Sequence, residues 1–509
     1  MNTNIINHEA IGIDLGTRNI VASVYDETGT PRCIPIDGEN LTLAVMYANP
    51  GLDEMIIGKS AFNMRALEPD RVIEYAKRDV GTDMAYFTDG ETQITPCYVQ
   101  AQQLKYIREQ VAEYFGDKNA GRKAVITVPA SADESFRQSV MTSAKIAGIE
   151  VLEIINEPTA AAIDNGFQNN KGDRMLAVVD FGGGTFDVSI GVMSAGRLTI
   201  LASHGDKNLG GRDVNDLLLN ETLQRFKSEH GLSISKASHP HDFYEIEDEV
   251  ERQKIMLSSK SKARIVCRID GNTVDFSLSR DDLERLATPI IDRISNIVAD
   301  ALKESDVAIE DIDNVLFVGG STRLKCFRKW AESTFGADKL FDSKVSPDLT
   351  VSQGAAIRAI KLASEGGDKV VSKELHAIPL PELNHQDVTA NSLGVAAIKH
   401  GETESICAVI LPKNSQIPAN QSKIFGSCSE DQTHFKVHVL QGEDNAPSDD
   451  CLIVGEATMI LPPRSPLSDS LEVTMGYDRN GMVTVTVHDQ ISNRREDITV
   501  DFSKPVTGQ

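Results

Sequence analysis

The sequence predicts two related α/β halves followed by an all-β unit, and three observations carry that expectation. The first is a repeated pattern. An apolar run over 176–179 delivers Asp180 to a turn of three glycines, Thr185 and Asp187, after which Phe186, Val188 and Ile190 alternate as a second strand would. The pattern recurs near the N-terminus, where an apolar run over 10–13 leads into Asp14, Leu15, Gly16 and Thr17, followed by the apolar stretch 20–25. The second observation is the alternation of strand and helix signals between the copies. Residues 124–128 read as a buried strand closed by Pro129, 135–147 as a helix stopped at Gly148, and 151–155 as another strand. A helix opened by Pro158 in its first turn follows. Third, from Asp387 onward only β patterns remain.

The repeated turn has a chemistry. Glycines let backbone N–H groups approach phosphate oxygens, Thr185 donates one more hydrogen bond, and Asp180 and Asp187 are suited to holding Mg2+ through its waters. A single copy would also fit an ordinary glycine-rich hairpin. Two copies point to two similar halves that face each other and offer a phosphate-binding hairpin each to one nucleotide.

Composition bounds the rest. A chain of 509 residues, with 40% hydrophobic and 25% charged residues, reads as an ordinary globular protein of about three or four domain-sized units. Its net charge of −24 argues against nucleic acid and anionic membrane as partners. No basic region followed by a long apolar core opens the chain, and no apolar stretch approaches the ~20 residues of a membrane span, so a cytoplasmic location is expected. The seven cysteines are scattered and form no CxxC pair, which fits a reducing compartment and argues against a disulfide framework or a zinc site.

Taken in order, residues 69–74 read as helix-like and lead to Lys77, which alone would be a surface lysine. A helix is expected over 101–115, ending at Gly116. Gly210 and Gly211 open a helix reaching Phe226, and residues 227–242 read as a polar loop. In the helix predicted over 246–259, Glu251, Lys254 and Ser258 share one face, which by itself would be a solvated face. A strand, a turn and a long amphipathic helix are expected over 276–302. A strand ends at Gly319 and Gly320, and a small-residue helix is expected over 353–362.

The ordered set of motifs resembles the heat-shock-protein-70 (DnaK-type) chaperone family. It comprises Asp14 to Thr17, Val128-Pro129-Ala130, the stretch 154–162, Asp180 to Asp187, Leu209-Gly210-Gly211, Glu251 to Ser259 and Val318 to Arg323. The match runs from about residue 10 to 503. It implies a two-lobed actin-like ATPase domain over 1–365, a linker over 366–386 and a β-sandwich substrate-binding domain over 387–509. Because the chain stops just past the last expected strand, over 498–502, no C-terminal helical lid is expected, and bound peptide should exchange fast. The implied activity is that of an ATP-dependent molecular chaperone, which hydrolyses ATP with Mg2+ and bound K+ and binds extended apolar polypeptide.

Carried over by position, the resemblance makes Asp14, Thr17, Asp180 and Asp187 the groups around Mg2+ and the phosphates, with Asp14, Asp180 and Asp187 as the metal-holding acids. Gly16, Arg18 and Asn19 complete the first phosphate turn, and Gly182, Gly183, Gly184 and Thr185 form the second. Lys77 and Glu157 become the pair that orients attacking water, with Lys77 also neutralising the transferred phosphoryl group. Gly210, Gly211, Glu251, Lys254 and Ser258 line the adenosine side, opposite Gly319, Gly320, Ser321, Arg323 and Asp348. The peptide groove would be lined by Val395, Ile398, Ile424, Phe425, Cys428, Phe435 and Val437, with Phe435 larger than the family's usual residue and so narrowing the central pocket.

Four departures stand out. Arg18 occupies a place where the family carries a small hydroxyl, and its side chain bears on hydrolysis. The family's leucine-rich linker is replaced by Leu383-Asn384-His385-Gln386, which argues for weakened coupling, at roughly 1.5–3 kcal/mol per buried leucine lost. The aromatic pair after Ala130 is Ser131-Ala132, and a basic residue used for the J-domain cochaperone is Glu153. An acid there would repel the J-domain's aspartate, so that partner is not expected, whereas a nucleotide-exchange factor remains among the implied partners. Pro129 and Arg137, the family's relay, are retained. Alternatives in other classes are a small-molecule kinase on the same fold, a filament-forming structural ATPase, and a specialised client-binding regulator with weak interdomain coupling.

Overall fold

The computed structural model describes residues 8–26, 29–49, 55–168, 172–194, 197–341, 343, 345–365, 384–399, 403–426, 434–460 and 469–498. It divides into two compact units, the first of residues 1–79, 85–131 and 143–385 and the second of 80–84, 132–142 and 386–509.

In the first unit each copy of the repeat seeds its own sheet. Ala10–Leu15 pairs antiparallel with Asn19–Tyr25 across the turn holding Gly16 and Thr17, and parallel with Lys123–Val128 on its other side. Glu150–Asn156 extends the parallel side, and Pro31–Cys33 the antiparallel side. The second sheet has the same plan. Arg174–Phe181 pairs antiparallel with Phe186–Ser194 and parallel with Asn314–Val318, with Arg197–Asp206 and Leu340–Phe341 beyond them. Strand for strand the two sheets share order and direction, so the duplication visible at Asp14 and Asp180 covers whole lobes. The first strand of each carries consecutive apolar residues, without alternation, up to its acid, because a parallel neighbour brings helices onto the faces of its sheet.

Helix Thr350–Glu365 packs on the first sheet, helix Glu157–Gln168 packs on the second, and the two helices pack on each other. Their small residues permit this, since a Cβ at Gly354 would collide with the Ala160 carbonyl. The expected helix before Gly116 runs Pro96–Phe115. Its Thr95 side chain accepts from the Tyr98 N–H at 3.2 Å, and Gly116 ends it in the left-handed region with φ of 61°.

Two local expectations are corrected. Residues 69–74 are not helical: a single turn Pro69–Arg71 gives way to a short strand, Val72–Ile73, whose β-branched side chains favour extension, and Tyr75 then takes a left-handed conformation. The polar loop expected over 227–242 is present but shorter, spanning 231–239. Gly211–His230 runs through its first residues and is closed by Gly231 at φ 69°, and Pro240–Ser259 begins with proline, whose missing N–H costs nothing in a first turn. The strand expected ahead of the long helix is Asn272–Ser279, which runs directly into helix Arg280–Ser305; its hairpin partner Lys262–Ile269 carried no sequence expectation.

The linker segment differs in kind from expectation. Asn384–Gln386 forms a strand at the edge of the second sheet, next to Arg197–Asp206. Such pairing uses backbone N–H and C=O groups, which any residue but proline supplies, so the missing leucines do not abolish it.

The second unit is built on two four-stranded antiparallel sheets. One has the order Ser405–Leu411, Leu393–Ile398, His434–Gln441, Leu452–Ile460; the other is Ala419–Gly426, Asp469–Tyr477, Val483–Asp489, Arg494–Ile498. Residues from both sheets, among them Leu393, Val439, Val473 and Val487, fill one core. The last strand among the described residues is Arg494–Ile498; of the strand expected over 498–502, residues 499–502 lie outside the described residues. Among the described residues no helix is long and apolar enough to cross a membrane.

Candidate active site

The two repeated turns meet face to face. A Cβ at Gly184 would collide with the Thr17 side chain, and one at Gly183 would come within 2.7 Å of the Arg18 Cβ, so glycine is what lets the turns close on each other. The second turn is held by the Gly182 N–H to Thr185 C=O bond at 3.0 Å. The start of helix Gly211–His230 is tied to it by Gly211 N–H to Gly182 O at 3.0 Å and Arg212 N–H to Gly183 O at 2.8 Å. Three glycine clusters predicted from distant stretches are thus adjacent.

Between the turns lies a cavity lined by Asp14, Gly16, Thr17, Arg18, Asn19, Lys77, Glu157, Asp180, Gly182, Gly183, Thr185, Gly319, Gly320 and Asp348. Lys77, which alone read as a surface residue, is 7% exposed; it ion-pairs with Glu157, the first residue of helix Glu157–Gln168. Burial pulls the Lys77 ammonium down, but Glu157, Asp14 and Asp180 outweigh it and hold it above the ordinary lysine range, so it is charged. Asp14 accepts from Thr127 Oγ1 at 3.4 Å, the residue opposite it on the neighbouring strand. Asp187 accepts from the Ser131 N–H at 3.1 Å, while its Oδ2 is buried and has no hydrogen-bond partner.

The charge balance of this pocket is unfavourable as it stands. Asp14, Glu157 and Asp180 line it beside a single lysine, and the buried Asp187 interacts with the same Glu157 and Lys77. Burial, then the neighbouring Glu157, raises Asp14 and Asp180 well above the carboxylate range and pushes Asp187 up to about 7. Buried acids in excess, with an orphaned carboxylate oxygen, are a donor set that a hard divalent cation completes: the residues fit Mg2+.

The adenosine-side residues are present but engaged. Lys254 Nζ donates to Gly211 O at 2.9 Å, and burial lowers its pKa to about 8. Ser321 Oγ donates to Gly182 O at 2.8 Å, and Arg323 pairs with Asp348 at 2.6 Å. Glu251 is held by Arg18, whose Nη2 lies 2.8 Å from its Oε2 and whose guanidinium stands 5.0 Å from the Phe62 ring centroid. The Arg18 side chain thus turns toward Glu251, Glu74 and Phe62. Gly210, Gly211, Glu251, Lys254, Ser258, Ser321 and Arg323 do not line this cavity; Ser258 and Arg323 line another, beside Arg280 and Lys325.

Sequence reading missed several supports. Arg78 donates to the Gly184 carbonyl at 2.7 Å and to Asp213 at 2.6 Å, anchoring the second turn, and Arg65 pairs with Glu247 at 3.1 Å. Arg78 was findable as the cation beside Lys77. Thr127 and the Ser131 N–H were not, because nothing local marks them.

Glu153 requires a correction. It is 3% exposed and ion-paired with Arg358, with Nη2 to Oε1 at 3.1 Å. A buried, neutralised carboxylate offers no surface charge to repel a J-domain, so that argument against the partner falls.

In the sandwich, Val395 and Val437 are core residues, 3% and 2% exposed, and Phe425 and Phe435 pack against that core. Ile398 and Ile424 are open, at 48% and 51% exposed. Cys428 lies outside the described residues.

Paired lobes with facing glycine turns, followed in the same chain by an antiparallel sandwich, define an actin-like fold with an added β-sandwich. Comparison with known proteins gives the family. The model described as "Hsp70 protein" matches residues 86–508. The "Chaperone protein DnaK" of Thermosipho africanus (strain TCF52B) is 32% identical over 498 residues, which span 96% of this chain and 79% of that protein. The chain belongs to the Hsp70 family and is an ATP-dependent chaperone of that family.

Proposed function

We propose that the chain hydrolyses ATP in the cavity between the repeated turns and uses the nucleotide state to control binding of extended apolar polypeptide by the sandwich. The observation that carries this reading is the buried Lys77–Glu157 pair at a cavity with excess acid, framed by glycine turns. The backbone N–H groups of Gly16 to Arg18 and Gly183 to Thr185 bind phosphate oxygens. Glu157 accepts a hydrogen bond from the attacking water, and the Lys77 ammonium holds that water and balances charge on the phosphoryl group in flight. Mg2+ held by Asp14, Asp180 and Asp187 would neutralise the phosphates, and K+ is the second cation this acid-rich pocket suits. Adenosine binding exchanges the internal partners of Glu251 and Lys254 for the ribose and base. Residues 1–365 form the nucleotide-binding domain and 387–509 the peptide-binding domain, with 366–386 between them.

The test is anisotropy of a labelled extended apolar peptide. ATP should weaken its binding at least about tenfold relative to ADP, equivalent to 1.4 kcal/mol. Equal affinity in both states would remove the proposed control.

Two further results are expected. Asp187, with a pKa of about 7, carries a proton part of the time at neutral pH, and a divalent cation displaces it. Binding of Mg2+ with ADP at pH 7 should therefore release protons, on the order of one per site. Calorimetry in two buffers of different ionisation enthalpy reads this directly, and a heat independent of buffer contradicts it. Replacing Asn384, His385 and Gln386 together by proline removes every N–H of that strand and blocks its pairing. The variant should keep basal hydrolysis and lose its acceleration by polypeptide; retained acceleration would show that this strand does not carry the coupling.

A further inference from the structure

Two cysteines that are 44 positions apart in sequence meet in the second unit, which no spacing rule would reveal. Cys407 lies in strand Ser405–Leu411 and is fully buried, while Cys451, just ahead of strand Leu452–Ile460, is partly exposed. The connection between strands His434–Gln441 and Leu452–Ile460 folds back onto the Cys407 strand. Cys407 N–H donates to Ala446 O at 2.8 Å, Asn445 N–H donates to Cys407 O at 2.9 Å, and Ile406 bridges to Pro447. Both thiols converge on Gly442. Cys407 Sγ is 4.0 Å from its carbonyl oxygen, and a Cβ on Gly442 would collide with Cys451 Sγ. The two side chains are hydrogen-bonding neighbours, and both thiols are free.

We propose that Cys407 and Cys451 are a reversible oxidation site, converted by peroxide-class oxidants into a disulfide that ties strand Ser405–Leu411 to the base of strand Leu452–Ile460. The exposed thiol reacts first: the Cys451 thiol and hydrogen peroxide give a sulfenic acid and one water. Cys407 then attacks that sulfur, its S–H proton leaves with the hydroxyl as a second water, and the S–S bond forms. Two thiols lose two electrons and two protons, and the peroxide takes up both. Burial, followed by the neighbouring Cys451, Asp444 and Glu443, raises the Cys407 thiol to about 12, which makes it a poor first target and leaves it as the resolving partner. The bond fixes the Gly442–Cys451 connection on the sheet that carries Val395, Phe435 and Val437, and it constrains the unfolded chain. The inference rests on the sandwich alone and does not depend on the nucleotide site.

The test treats the full chain with hydrogen peroxide, alkylates remaining thiols, and maps cross-links by mass spectrometry without reduction. A Cys407–Cys451 linked peptide should appear, denatured thiols should fall by two from the seven present, and dithiothreitol should restore them. Cys451→Ser should remove the linked peptide, whereas Cys33→Ser should not. A link from Cys428 or between chains in its place, or Cys451 sulfinic acid beside an alkylatable Cys407, would overturn the proposal. The wild-type map is decisive without either variant.

Discussion

Lys77→Ala should slow ATP hydrolysis by about 10²–10³ while leaving ADP binding measurable. Lys77 is buried and charged, and its pairing with Glu157 balances one of four acids in the cavity. Alanine removes the cation from the place where phosphoryl charge develops and frees Glu157 from the geometry that aims it at water. Removing one preorganised donor from a dry site costs about 10²–10³ in rate, or roughly 3–4 kcal/mol. With the lysine gone, the acids should also hold their protons more tightly, since Lys77 lowers the pKa of Asp14, Asp180 and Asp187. Single-turnover kinetics beside ADP titration separates the two effects. A rate within tenfold of wild type would show that Lys77 is structural.

Glu153→Ala should destabilise the first unit by about 3–5 kcal/mol, the cost of leaving one partner of a buried ion pair alone. Arg358 is 9% exposed and meets Glu153 through two guanidinium nitrogens, so it cannot reach water without opening the helix Thr350–Glu365 that covers the first sheet. Urea unfolding reads the loss as a fall in midpoint. Replacing both partners together, as Glu153→Leu with Arg358→Met, should recover much of it, because the uncompensated charge is gone. A Glu153→Ala loss under 1 kcal/mol would mean that Arg358 finds another partner.

These two residues also mark what the sequence could and could not convey. The phosphate turns were legible because everything that makes them is local: an apolar strand, an acid, glycines and a hydroxyl, present twice. The lobes around them followed from that duplication. Lys77 was legible only through family resemblance, since its partner stands 80 positions away and lysines are mostly exposed. Glu153 was misread for the same reason. An acid in a strand looks like surface charge until Arg358, 205 positions on, is brought beside it. The linker is a different case: counting leucines measures side-chain burial and carries no information about the strand Asn384–Gln386, which is placed by backbone pairing. In the sandwich, alternation located the strand carrying Phe435 and Val437, but it could not separate Val437, in the core, from the open Ile424.

The most direct test of the account is single-turnover ATP hydrolysis by the whole chain, with and without an unfolded apolar polypeptide. The account expects measurable hydrolysis that polypeptide accelerates. Hydrolysis indifferent to polypeptide would contradict the proposed coupling, and none at all, with ATP bound, would contradict the role given to Lys77 and Glu157.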